Sequence, residues 1–471
     1  MCCFAQTPTL VQHVSSGRDN TNGYSNPTYK FWLPNPTLAG NCLVLRFDHD
    51  ISLTTTSVKT DKGNAFAAGP SVNTSGHILE TFYATASTGA QIVSITTAGT
   101  TSLVNTDAAS GDLSEFYNTN CVVDASGSSS SRNVTLSPNA ANDLIWQSGD
   151  DLTALTYIQG GGEALGPMIT SMTVGSGYRM LQGNTSQGTF AQYKTGAAAG
   201  SQNVSFQTSD SDTWQSAAIA FKSAATGTAP PSTGMRIVNM YGEPFGNTTH
   251  RMYVPCSGNL LIGAWSSPLV TVTGAISSGA GTWSSGAVSE HPIAQIFYGQ
   301  GMSCSSEMTV TPTYSNVGSG GLNFLVMMDV VGASSSPHDV DITNSGNQTS
   351  GTSLATNTIT PSTANGLIVD STAWWGCTVI SASPGIYAGI ATNSGNSDVC
   401  PPTNTWNSTL NEDNGIAFYY NPNTSPLTFR YNVTGPVSQW AAVASAFKAA
   451  TGPVNPPAAP APPTGLVAVP H

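Results

Sequence analysis

The stretch "TWQSAAIAFKSAATG", ending at Gly227, is written again as "QWAAVASAFKAATG", ending at Gly452. Each sets a Trp, seven residues and a Lys before an exit of small residues. Trp214 and Trp440 stand 226 residues apart. A period that long does not suit a solenoid; it suits two copies of a domain-sized unit. Other landmarks recur in the same order. "TYKFWLP" (Thr28–Pro34) answers "THRMYVP" (Thr249–Pro255), and "AGNCLVLRF" answers "SGNLLIGAW". "TFYATASTG" answers "IFYGQGMSC", and "SPNAANDLIW" answers "TPSTANGLIV". From Asn142 to Trp214 is 72 residues, and from Asn365 to Trp440 is 75.

Within each copy the apolar runs are short, rich in Val, Ile, Leu, Phe and Tyr, and broken by Gly, Asn, Asp and Pro, which is the pattern of strands. In "WQSAAIAFK", Ile219 and Phe221 share one strand face; Val443, Ser445 and Phe447 do so in "WAAVASAFK". Uncapped Ala-rich runs of this length make poor helices. The expected fold is all-β: two tandem large β-sandwich (jelly-roll-like) domains at 8–226 and 236–450, joined by a Pro-rich linker at 227–235. Residues 1–7 would be the remnant of a signal peptide or an N-terminal arm, since Cys3-Phe4-Ala5 before Gln6 fits a cleavage site while the usual basic start is missing. The Pro-rich tail at 451–471 would be a donor strand or the start of a further domain.

These landmarks, with "AFK" closing each copy before a Pro-rich exit, resemble the repeats of large secreted bacterial proteins. Such repeats are grouped with concanavalin A-like and laminin-G-like jelly rolls. "PPTGLVAVP" near the end is similar to the opening of a fibronectin type III module. The resemblance covers nearly the whole chain. It implies an exported, modular protein and nothing further.

Composition narrows the function classes. Only 8% of residues are charged, whereas 39% are hydrophobic, so hydroxyl and amide groups cover a chain that can still fill cores. The net charge is −12 with thirteen Lys plus Arg, which excludes a basic nucleic-acid surface. No apolar run approaches the length of a transmembrane segment. The eight cysteines show no C-x-x-C zinc spacing. In an exported chain Cys42–Cys121 is the one pairing open to the first copy. The second copy allows three, of which Cys256–Cys304 and Cys377–Cys400 join nearest neighbours.

No catalytic set emerges. The Glu residues are isolated, with no paired-carboxylate strand motif of a glycosidase, no G-x-S-x-G elbow and no Walker loop. "RFDHD" (Arg46–Asp50) reads as a polar strand end, and its counterpart "GAWSS" carries none of its charges. His77 and His291 fall near matching positions but one residue out of step, which turns them to opposite strand faces. No cofactor is expected; of the metals, calcium would suit loop carboxylates such as Asp107, Asp112 and Glu115, or the Asp339 and Asp341 pair. Nine N-x-S/T sites occur, at Asn73, Asn133, Asn184, Asn203, Asn247, Asn347, Asn407, Asn423 and Asn432.

The expected function is that of a non-enzymatic extracellular structural or adhesive protein, a subunit of a surface fibre or layer that partners copies of itself. Gly465, Leu466, Val467, Ala468, Val469 and Pro470 would add as a strand to a neighbour's sheet edge. The alternative is an adhesin that binds a surface polysaccharide, with the adjacent Trp374 and Trp375 as stacking residues. A secreted glycan hydrolase ranks third.

Overall fold

The computed structural model describes residues 6–19, 26, 28–100, 109–152, 172–184, 188–208, 213–245, 252–255, 260–267, 280–284, 288–289, 293–303, 307–310, 323–348, 353–355, 358–375, 379–383, 386–387, 412–433 and 437–451. The fold is all-β, of sandwich and jelly-roll-like type.

One long sheet runs through both halves. From the first half it takes, in spatial order, β5 (Ala67–Thr74), β6 (His77–Thr85), β3 (Cys42–Asp50), β8 (Ala109–Tyr117) and β1 (Thr9–Asp19). From the second it takes β18 (Arg236–Phe245), β25 (Asn323–Val331), β20 (Leu260–Ser267), β23 (Ile293–Ser303) and β21 (Ala280–Ser284), with β22 (Val288–Ser289) also on β23. The segment 227–235 therefore does not space two separate bodies. β1 and β18 pair in parallel, His13 beside Asn239 and Ser16 beside Gly242. Thr228 is held to the first half by its N–H on Asn41 Oδ1 at 2.9 Å and its hydroxyl on Ala39 O at 2.9 Å.

A second sheet orders β9 (Thr119–Ser129), β17 (Trp214–Ser223), β11 (Asp143–Asp151), β14 (Thr189–Ala197) and β13 (Arg179–Asn184). It is extended by β19 (Met252–Pro255) and β24 (Glu307–Val310) of the other half. The second half's own outer sheet repeats that order with β26 (Ala333–Gln348), β33 (Val437–Ala449), β28 (Gly366–Trp375), β31 (Glu412–Asn421) and β30 (Ile386–Tyr387). Smaller sheets join β2 (Thr28–Trp32), β7 (Ile92–Gly99) and β4 (Leu53–Thr60), and β27 (Ser353–Ala355), β32 (Arg430–Val433) and β29 (Val379–Ser383). Two-stranded pieces join β10 (Asn133–Leu136) with β15 (Gln202–Ser205), and β12 (Met172–Thr173) with β16 (Gln207–Thr208).

Strand alternation shows how the layers stack. On β3, Cys42 and Val44 pack with Leu144, Trp146, Ile219 and Phe221 of the first half's outer sheet. Leu43, Leu45 and Phe47 face the other way, onto Tyr29, Phe31, Val93 and Ile95. Every residue of β3 is buried, because layers cover both faces. On β20 the residues facing the second half's outer sheet are Leu260, Ile262 and Ala264, packed with Leu367, Val369, Val443 and Phe447. The apolar cluster around Phe47 runs continuously into this second-half core. Burying each such Leu, Ile or Phe stabilises the fold by roughly 1.5–3 kcal/mol.

The duplication is legible in the pairing. Tyr83 meets Phe221 edge-on with ring centroids 5.6 Å apart, and Tyr298 meets Phe447 at 5.4 Å. Asn142 and Asn365 both take positive φ, at 70° and 60°, and donate their N–H to Ala197 O and Asn421 O at 2.7 Å. Asn tolerates this left-handed conformation better than most side chains. Asp124 accepts the N–H groups of Asn139 and Ala140; its counterpart Asp339 accepts the N–H and hydroxyl of Ser362. The recurring Lys has its first-half partner here, with Lys222 Nζ 3.4 Å from Asp124 Oδ1.

The expected Cys42–Cys121 disulfide is present, tying β3 to β9. Cys256, Cys304, Cys377 and Cys400 lie outside the described residues, as does the tail segment 465–470. Among the described residues no helix is long and apolar enough to cross a membrane.

Candidate functional site: a buried charged cluster in the first half

"RFDHD" is an interior strand rather than a polar strand end. Arg46, Asp48, His49 and Asp50 are all buried, because the outer sheet covers one face of β3 and the β2, β4 and β7 layer covers the other. Alternation sends Arg46 and Asp48 between the two sheets of the first half. There Arg46 Nε donates to Asp112 Oδ2 at 2.7 Å, and Arg46 Nη1 donates to Asp150 Oδ2 and to Ser110 Oγ, the latter at 3.1 Å. Ser148 Oγ donates to the same Asp112 oxygen at 2.7 Å. Gln215 Nε2 donates to Asp48 Oδ1 at 2.5 Å, and His13 Nδ1 meets Ser114 Oγ at 2.8 Å. Arg46, Asp112 and Asp150 are fully enclosed.

Burial disfavours every charge in this cluster. For Arg46 it is outweighed by the Asp150 and Asp112 carboxylates, which hold the guanidinium protonated above its ordinary value. For Asp112 burial wins over Arg46 and Ser148 and moves the carboxyl upward. His13 is pushed down to about 3, first by burial and then by the Arg46 charge, so its imidazole is neutral at physiological pH.

Three further groupings deserve chemical scrutiny. His49 Nε2 and Thr55 Oγ1 both donate to Glu80 Oε2, the former at 3.1 Å. Glu80 is the acceptor for both, so the imidazole stands as a donor to the carboxylate rather than as a base on the Thr55 hydroxyl. Despite the cost of burial, those two hydrogen bonds hold Glu80 below its usual range. Glu115 lies at the junction of the halves. It accepts from Leu38 N, Asn41 Nδ2 and Gln12 Nε2 at 2.9, 2.7 and 2.6 Å. Gln12 also pairs with Asn35, which donates to Ile237 O at 2.7 Å and accepts from Tyr420 Oη at 3.0 Å. Arg236 Nη1 crosses the same seam to Val11 O at 2.7 Å. Asp112 and Glu115 thus serve opposite faces of β8 and do not converge on one ion; Asp107 lies outside the described residues. Asp339 caps Ser362, while Asp341 meets His338 at 3.0 Å. Among the described residues no group of three or more His, Cys, Asp or Glu is arranged to hold a metal.

The remaining candidates are scattered. Trp374 and Trp375 sit at the end of β28, in register with Asp413 and Glu412. Asn73, Asn133, Asn203 and Asn423 are exposed. Asn184, Asn347 and Asn432 lie on strands β13, β26 and β32. Asn247 and Asn407 are outside the described residues, as is His291. The strand alternation of "RFDHD" is the available signal for Arg46, but its partners Ser110, Asp112 and Asp150 lie 64, 66 and 104 positions away.

The second half supplies a control. Strand register makes Ala264, Val326 and Ala373 the counterparts of Arg46, Asp112 and Asp150. All three are buried, so the whole charged triad is exchanged for apolar side chains in the same frame. Counterparts of Asp48 and Gln215 are Ser266 and Ala441.

No family model matches the chain, and no curated protein matches it. Among solved structures, the triple jelly roll fold and turret assembly in an archaeal virus is similar at 12% identity over 82% of this chain and 91% of that chain, with a TM-score of 0.15. A score of that size carries no argument about fold or function.

Proposed function

We propose that the chain is a non-enzymatic structural protein of the cell exterior, one that assembles with copies of itself. The observation that carries this reading is the exchange of Arg46, Asp112 and Asp150 for Ala264, Val326 and Ala373. A reaction centre needs its charged groups within reach of substrate, and here they are enclosed between sheets. A buried ion triad that apolar residues can replace is a packing device. The Cys42–Cys121 disulfide and the low charge support an oxidising, exterior setting. Addition of the segment 465–470 to a neighbour's sheet edge is the proposed means of assembly.

The test is negative-stain microscopy of the full chain at high concentration beside a chain ending at Gly452. Ordered polymers that vanish without the tail are the expected result. Separate particles in both samples would overturn the assembly reading. A glycan array probed with the full chain and with Trp374→Ala and Trp375→Ala variants would then decide for or against the adhesin.

A further inference from the structure

A sheet edge is where an added strand can pair, and folds blunt their edges with charge, proline or broken register. Among the described residues, the long edge strands of the three large sheets are β5, β9 and β26. β5 carries Gly69 and Pro70 at a break in its register with β6. β26 carries Pro337, His338, Asp339 and Asp341, with register breaks on both sides of His338. β9 differs. Among the described residues it pairs with β17 alone; its register breaks fall toward Thr119, and residues 125–129 run unbroken along 216–220. That stretch holds no charge and no proline. The strand is also clamped from within. Cys121 is bonded to Cys42 of β3, and Ser128 Oγ donates to Ser71 O of β5 at 2.7 Å. Val122 on the same strand leaves an apolar side chain 48% exposed.

We propose that β9 is the acceptor edge for the segment 465–470 of a second copy. This rests on the assembly reading above and supplies its acceptor. The donor, "GLVAVP", is uncharged and apolar, and it suits an uncharged edge beside an exposed Val122. It departs from the second half, where Ala450 N donates to Gly332 O at 2.8 Å beside the start of β26. From there 452–464 is Pro-rich, and a spacer of that composition and length reaches about 40 Å. The two outer sheets cover opposite faces of the long sheet. Donor and acceptor therefore sit on opposite faces of one copy and meet between copies. Such a contact is heterologous and does not close, so it propagates. An acceptor at β26, beside the donor's own exit, would instead let two copies exchange tails and stop.

The test is negative-stain microscopy of the full, disulfide-bonded chain and its variants at high concentration. Lysines at exposed β9 positions, Val122→Lys with Ser126→Lys, should abolish the polymers. Lysines at exposed β26 positions, Ser335→Lys with Ser345→Lys, should leave them intact. Polymers that survive the β9 lysines but vanish on truncation at Gly452 would overturn this acceptor and leave the assembly reading standing. No polymers in any sample would overturn both. A second measurement guards against a misfolded variant. The β9 lysine variant keeps its tail, and the chain ending at Gly452 keeps its β9 edge. Each alone should sediment as single particles, and their mixture as one-to-one pairs. A mixture that stays as single particles would refute the proposal.

Discussion

The two halves have one strand order and two interiors. In the first, Arg46 draws Asp112 and Asp150 into a buried ionic knot. In the second, Ala264, Val326 and Ala373 fill the same register with small apolar groups. What both retain is the edge-on Tyr and Phe pair, the left-handed Asn before the outer strand, and the Asp that caps the turn. These shared parts set strand register, so they specify the frame. The charged knot is an optional filling, and its replacement by hydrophobic groups is energetically reasonable because burying ions costs about as much as their attraction returns.

The comparison breaks most sharply at Arg46. Arg46→Ala removes the counter-charge of two buried carboxylates and should cost about 3–5 kcal/mol in chemical unfolding. Installing the second-half set, Arg46→Ala with Asp112→Val and Asp150→Ala, should cost clearly less than that single change. A triple variant as unstable as the single one would show that the knot is not exchangeable. Next comes the disulfide, which the second half lacks at Leu260, the counterpart of Cys42. Replacing Cys42 and Cys121 by Ala should lower stability by about 2–4 kcal/mol in the first half. Asn142→Ala and Asn365→Ala should cost about 1–2 kcal/mol each in chemical unfolding, and Gly at either site should be tolerated. Equal costs would sharpen the view that the frame is shared. The smallest effect belongs to His13. Its folded form stays neutral down to about 3, so the unfolded chain binds more protons below the ordinary value and stability falls as pH drops through that window. His13→Met, giving the residue found at Met240, should remove under about 1 kcal/mol of acid sensitivity at pH 6.

Much of the frame was legible in the sequence. "FY", "AN-x-LI" and "AFK" recur because Tyr83, Asn142 and Phe221 make local or register-fixing contacts that the counterpart residues repeat. The all-β class follows from the short apolar runs. The interior fate of "RFDHD" did not follow, because alternation on β3 looks the same whether its second face meets water or another layer. Only the covering layers around Phe47 and Arg46 decide that, and they come from distant segments. The pairing of β1 with β18 was equally hidden: strand pairs separated by more than two hundred residues leave no periodic trace. The candidate tail strand lies outside the described residues, so the sequence remains its sole support.

Equivalent first strands run side by side in the same direction, yet His13 turns toward one outer layer and its counterpart Met240 toward the other. That relation is close to a twofold rotation about an axis along the strands. A joint of this symmetry is isologous and completes itself once two units have met. The fused pair has therefore already consumed the edge that one unit would offer a twin, and any polymer of this protein must propagate through surfaces unrelated to the one that made its two halves a single body.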